Sequence, residues 1–150
     1  MQPQVQRECM RQLQMWGHPP PEFDLFASEA THICPAFASL LPSVNQSAGD
    51  ALLMPDWPTR SWLFPPTPLL PRVVARLRRE LEQDPSKIFY LVAPLWTSQP
   101  WYPLLASMIH NSKRLPERVW FPARPEETVM AKLDKISISV VSSLSHQGRL

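Results

Sequence analysis

Glycine is the scarcest structural signal in this sequence: Gly17, Gly49 and Gly148 are the only three in 150 residues. No glycine-rich phosphate loop, G-x-G-x-x-G turn or G-x-S-x-G elbow can be written with them, which excludes P-loop enzymes, ordinary dinucleotide-binding domains and the common hydrolase signature. Cysteine is nearly as sparse. Cys9 and Cys34 form neither a C-x-x-C pair nor a disulfide framework. The histidines His18, His32, His110 and His146 are scattered, and the one close pairing, His32 with Cys34, falls short of a zinc site. The opening MQPQVQRECM lacks the apolar run of a signal peptide. Residues 88–112 carry no charge, but Pro94, Gln99, Pro100, Pro103 and Asn111 interrupt them, so no membrane span is expected. The expected location is intracellular, in cytoplasm or nucleus, with no membrane partner.

What the chain has in excess is proline, 19 of 150 residues. Proline breaks helix interiors and central strands, so the regular elements must be short and punctuated. With 44% hydrophobic and 19% charged residues, the composition is that of one folded globular domain. The net charge of +2 conceals a division. Residues 1–59 hold two basic side chains (Arg7, Arg11) against six acidic ones, whereas residues 60–150 hold 13 basic against 7 acidic. An acidic first part and a basic remainder suit a protein that meets nucleic acid with one face.

Apolar spacing places the elements. Val5, Cys9, Leu13 and Trp16 recur at helical intervals over residues 4–16, and Gly17 with Pro19-Pro20-Pro21 stops that helix. Residues 22–27 and 61–64 read as short strands, and residues 28–60 as loop with one helical turn. Thr67 offers an N-cap with Pro68 at the first helical position. The helix that follows, to about Gln83, carries an apolar stripe of Leu70, Val73, Val74, Leu77 and Leu81, with Arg72, Arg76 and Arg79 on the other face. Its regular part is expected after Pro71. Lys87–Ala93 is nearly all apolar, as in a strand buried on both faces. A helix over 100–109, a short strand over 118–121 and a frayed, serine-rich tail over 137–150 complete the pass. Strands alternating with helices predict a three-layer α/β domain with a short, mostly parallel sheet. Its expected boundaries are 1–21 for an N-terminal helix and Pro-rich linker, 22–136 for the α/β domain and 137–150 for the tail.

In such sheets ligands gather beyond the carboxyl ends of the strands. Three strand ends carry the candidate residues: Asp24 to Ser28, Trp62 to Thr67, and Val92 to Trp96 with Trp101 following. Strands 23–27, 61–64 and 88–93 are expected to be adjacent and parallel, with Asp24, Pro65 and Pro94 at one rim. Phe64, Trp96 and Trp101 offer flat faces for a nucleic-acid base, or else fill the core. Arg72, Arg76 and Arg79 have the spacing to touch phosphates, although Glu80 and Glu82 at i+4 from Arg76 and Arg78 also suit a paired helix face. Asp24, Glu29, Asp50 and Asp56 match no two-metal nuclease spacing.

The succession DLFAS (Asp24 to Ser28), D-A-L (Asp50 to Leu52), D-W (Asp56-Trp57), FPP (Phe64 to Pro66), a basic helix and APLWTSQPWYPLL (Ala93 to Leu105) resembles the polyprotein of DIRS-type tyrosine-recombinase retrotransposons. The likeness runs from Trp16-Gly17 to the Arg118–Pro122 segment. It implies a place after the reverse transcriptase and RNase H and before the recombinase, with those domains as neighbours. The same segment resembles a reduced phage-type DNA N6-adenine methyltransferase domain. Such enzymes carry an aspartate on the first strand, a D-W before the second, and an Asn/Asp-Pro-Pro-Tyr motif at the strand end. The Asn or Asp oxygen accepts from the adenine amino group and the aromatic stacks on the extruded base. Here the motif position reads Phe64-Pro65-Pro66-Thr67, which supplies neither the acceptor nor the stacking ring. The resemblance therefore implies a small Rossmann-like, methyltransferase-like domain without catalysis. Asp24, Pro65 and Pro66 would be vestiges of a cofactor pocket, with S-adenosylmethionine bound only if the enzyme were active. Contact with nucleic acid would be weak, through Arg72, Arg76, Arg79, Trp96 and Trp101.

Overall fold

A computed structural model describes residues 3–27, 36–39, 50–115 and 136–143. Helix α1 spans Pro3–Met15 and buries Val5, Cys9 and Leu13, three positions four apart on one face. It ends in a Schellman motif. Gly17 lies at φ +84°, the His18 N–H donates to the Leu13 carbonyl, and the Gly17 N–H donates to that of Gln14, both at 2.9 Å.

Strands β1 (Phe23–Ala27), β3 (Ser61–Leu63) and β4 (Ile88–Pro94) lie side by side and parallel, as expected. Between them in sequence the structure adds β2 (Ala36–Ser39), parallel to β1, where the sequence predicted loop. Ala-Phe-Ala-Ser has low strand propensity and no alternation, so only pairing with β1 makes it a strand. The expected helical turn is the 3-10 turn at Ala51–Leu53, capped by the Asp50 carboxylate, which accepts from the Leu52 N–H at 2.9 Å.

Thr67 does not cap the next helix. It opens a 3-10 turn (Thr67–Leu69), and α2 runs Leu70–Gln83 with Pro71 inside its first turn. The N–H that proline lacks would have no intrahelical partner there, so Pro71 costs the helix nothing. All five residues of the expected apolar stripe are buried. Helix α3 is Tyr102–Met108, and β5 (Ile109–Arg114) follows it directly. The strand expected over 118–121 lies outside the described residues. The expected tail is in part a correction: β6 (Ile136–Ser142) is buried at every position, antiparallel between β4 and β5. Ile136, Ile138 and Val140 alternate with Ser137 and Ser139, a strand pattern that the serine content obscured.

The six strands are ordered β2-β1-β3-β4-β6-β5, parallel over the first four, with β6 reversed. Trp62, Tyr90, Val92, Ile138 and Val140 face α1. Leu63, Phe89, Leu91, Ala93 and Val141 pack with Val73, Leu77 and Leu105 of α2 and α3. The domain is therefore α/β in three layers, and α1 is part of it rather than an appendage.

Candidate functional site at the carboxyl-end rim

From β1 the chain moves outward to β2, then returns past β1 to β3. The order thus reverses between β1 and β3, and the crevice beyond their carboxyl ends is where open α/β sheets hold ligands. The segment leaving β3 into that crevice is Phe64-Pro65-Pro66-Thr67. Pro65 is buried and Pro66 exposed, so the pair turns the chain rigidly across the sheet edge towards α2.

Pairing sets the levels of the other candidates. Leu63 lies opposite Leu91, so Phe64 is level with Val92 and Pro66 with Pro94. Through β6, Lys113 is level with Val92 and Arg114 with Ala93. Phe64, Pro65, Pro66, Pro94, Lys113 and Arg114 therefore share the rim, together with Trp96 just past β4. Asp24 does not. It pairs with Trp62, three residues short of Pro65, which is about 10 Å along the strand. Its carboxylate is buried at mid-sheet, 3% exposed, on the face that α1 covers.

Two further candidates, Trp101 and Arg76, are buried. Trp101 is 8% exposed and packs in the core beneath α2 and α3. Arg76 is 6% exposed, whereas its neighbours Arg72 and Arg79 are in solvent. The expected stripe of three arginines is thus two exposed residues and one buried one. Arg76 Nε donates to Glu80 Oε2 at 2.8 Å, its Nη atoms donate to the carbonyls of Leu52 and Met54, and its guanidinium lies 4.7 Å above the Trp57 ring. Arg78 and Glu82 form the exposed i,i+4 pair, at 3.3 Å.

Glu80 centres a network that sequence reading missed. It is fully buried and accepts from Arg76, from Lys87 Nζ at 2.9 Å and from the Trp57 N–H at 3.1 Å. Lys87 also reaches Asp56 Oδ1 at 2.6 Å. Burial alone would push the Glu80 carboxyl up; the donors from Lys87, Arg76 and Trp57 outweigh it and hold the group below the usual carboxylate range. Burial likewise opposes the charge on Lys87, and the bonds to Asp56 and Glu80 raise it above an ordinary lysine. The Asp56-Trp57 pair of the sequence motif thus works as a clamp at the amino-end rim. Trp57 is wholly buried, with Nε1 donating to the Ala51 carbonyl at 2.8 Å. The i,i+4 spacing of Arg76 and Glu80 was the available sign, read there as a solvated pair.

A second cluster lies beside α1. Arg60, at φ +61°, donates from Nη1 to the Tyr90 hydroxyl at 3.1 Å, and that hydroxyl donates to the Pro19 carbonyl at 2.9 Å. Burial, Arg60 and His110 together hold His18 below the usual histidine range. The Cys9 thiol, sealed under α1, is pushed up to about 12 by burial and the Glu8 charge, which makes it inert.

Among the described residues, the rim differs in charge from the opposite edge. Residues 64–69, 94–101 and 113–115 contain no Asp or Glu and include Lys113 and Arg114. The amino-end edge carries Glu22, Asp56 and Asp84 beside Arg60 and Lys87. Among the described residues no three His, Cys, Asp or Glu side chains gather as metal ligands, and no helix is long and apolar enough to cross a membrane. Compared with protein-family models and with curated proteins, the chain matches none.

Proposed function

We propose that this chain is a methyltransferase-like domain of a DIRS-type retrotransposon polyprotein that has lost methyl transfer and keeps nucleic-acid contact. The observation that carries the reading is the position of Phe64-Pro65-Pro66-Thr67. It follows the strand beside the sheet's order reversal, where an Asn/Asp-Pro-Pro-Tyr motif would act. The phenyl ring of Phe64 offers no acceptor for an adenine amino group, and Asp24 lies about 10 Å below the rim. The described residues therefore do not fit S-adenosylmethionine chemistry, and no catalytic step is assigned to them. Nucleic-acid contact is supported by the partly exposed Phe64 and Trp96 and the basic pair on β5, with no Asp or Glu among the described residues 64–69, 94–101 and 113–115.

Calorimetric titration with S-adenosylmethionine, run beside fluorescence anisotropy with labelled nucleic acid, tests the reading. The expected result is no heat from the cofactor and salt-sensitive binding of nucleic acid. Micromolar cofactor binding would restore the active adenine methyltransferase, the alternative from the enzyme class.

A further inference from the structure

The rim distributes its aromatic and basic side chains over both faces of the sheet. Phe64 continues the face of Trp62 and packs against the α1 side, and Lys113 shares that face through its neighbour Ile138. Trp96 packs on the α2–α3 side, and Arg114, paired with Ser137, belongs to that side as well. Phe64 and Trp96 are partly exposed, whereas Lys113 and Arg114 are exposed outright. From β3 to β5 is three strand spacings, about 14 Å. Phe64 therefore stands at one end of this short span and the cationic pair at the other, with Trp96 following β4 between them and no described carboxylate among them.

Duplex DNA keeps its bases stacked inside, so it offers phosphates to such a surface and leaves the rings unused. A single strand offers both its charged backbone and splayed bases, and base–aromatic stacking needs no sequence match. Resting on the nucleic-acid reading above, we infer that the rim's ligand is single-stranded nucleic acid, laid across the sheet edge with a base on Trp96 and backbone phosphates on Lys113 and Arg114. Phe64 supplies a second stacking face on the α1 side. Recognition of this kind is indifferent to sequence and falls with salt.

The test is anisotropy on the whole chain, with a labelled oligothymidylate of about twelve nucleotides and a duplex of equal length. The single strand should bind at least about tenfold tighter. Trp96→Ala should weaken it roughly five- to hundredfold, and Trp96→Phe, which keeps a flat face and the packing, should recover most of the loss. Lys113→Gln with Arg114→Gln should reduce the log–log salt slope by about 1.4, two phosphates' worth on a single strand. Equal or tighter duplex binding overturns this inference and leaves the broader reading standing. No binding of either form at low salt overturns both. Single-strand binding that none of these substitutions changes removes the rim as its site.

Discussion

Arg72, Arg76 and Arg79 look alike in sequence, and the structure predicts that they behave in opposite ways when replaced by glutamine. Arg76→Gln removes the guanidinium from a cluster in which Glu80 is wholly buried and Arg76 itself is 6% exposed. Glu80 would keep Lys87 and the Trp57 N–H, while the Leu52 and Met54 carbonyls would lose their donor. Because Lys87 still compensates the Glu80 charge, the loss is that of a buried charge-assisted hydrogen bond, about 1.5–3 kcal/mol, rather than that of a stranded ion. Loss of the guanidinium from the Trp57 face adds to this, by about 0.5–2 kcal/mol. At about 2–4 °C of melting temperature per kcal/mol for a chain of this size, that loss alone corresponds to a drop of roughly 3–12 °C. Arg72→Gln and Arg79→Gln leave exposed helix positions and should fall within about 0.5 kcal/mol of the parent. Urea denaturation and thermal melting of the three single variants measure the contrast. A loss under about 1 kcal/mol for Arg76→Gln, or an equal loss for Arg72→Gln, would refute the buried network as an anchor of α2.

Three other outcomes follow from the packing. Leu91→Ala, at a fully buried mid-strand position of β4, should cost about 2–5 kcal/mol in the same denaturation assay. Truncation after residue 135 deletes β6 from between β4 and β5, and circular dichroism should show loss of cooperative folding rather than a trimmed tail. Glu80 has a lowered folded-state pKa, so its stabilisation is present above the ordinary glutamate range, near 4.3, and is lost as pH falls below it. Lys87 has a raised one, so its stabilisation is present below about 10.4 and is lost as pH rises above that. Stability measured against pH should therefore decline at both ends, and Glu80→Gln should flatten the acid limb.

Where an element's own side chains decide its state, the sequence was sufficient. The four-residue spacing of Val5, Cys9 and Leu13, the stripe of α2 and the apolar run of β4 each leave one way to bury their surface, and the structure follows them. Gly17 before three prolines likewise allowed only a helix stop. Strands made by their neighbours were out of reach. β2 is Ala-Phe-Ala-Ser and β5 is Ile-His-Asn-Ser-Lys-Arg, and neither alternates in a way that marks a face. Their hydrogen bonds to β1 and β6 form them, and pairing partners are not written in a local window. The same holds for the site. For the proposed reading, the residue types at the end of β3 were enough to show that Phe64 cannot accept from an adenine amino group, because a phenyl ring has no lone pair to offer. Only tertiary structure decided that Arg76 turns inward to Glu80, that Trp101 fills the core, and that Asp24 stops short of the rim. Each of those outcomes depends on the depth and register of packing between distant segments, and side-chain chemistry alone does not encode either.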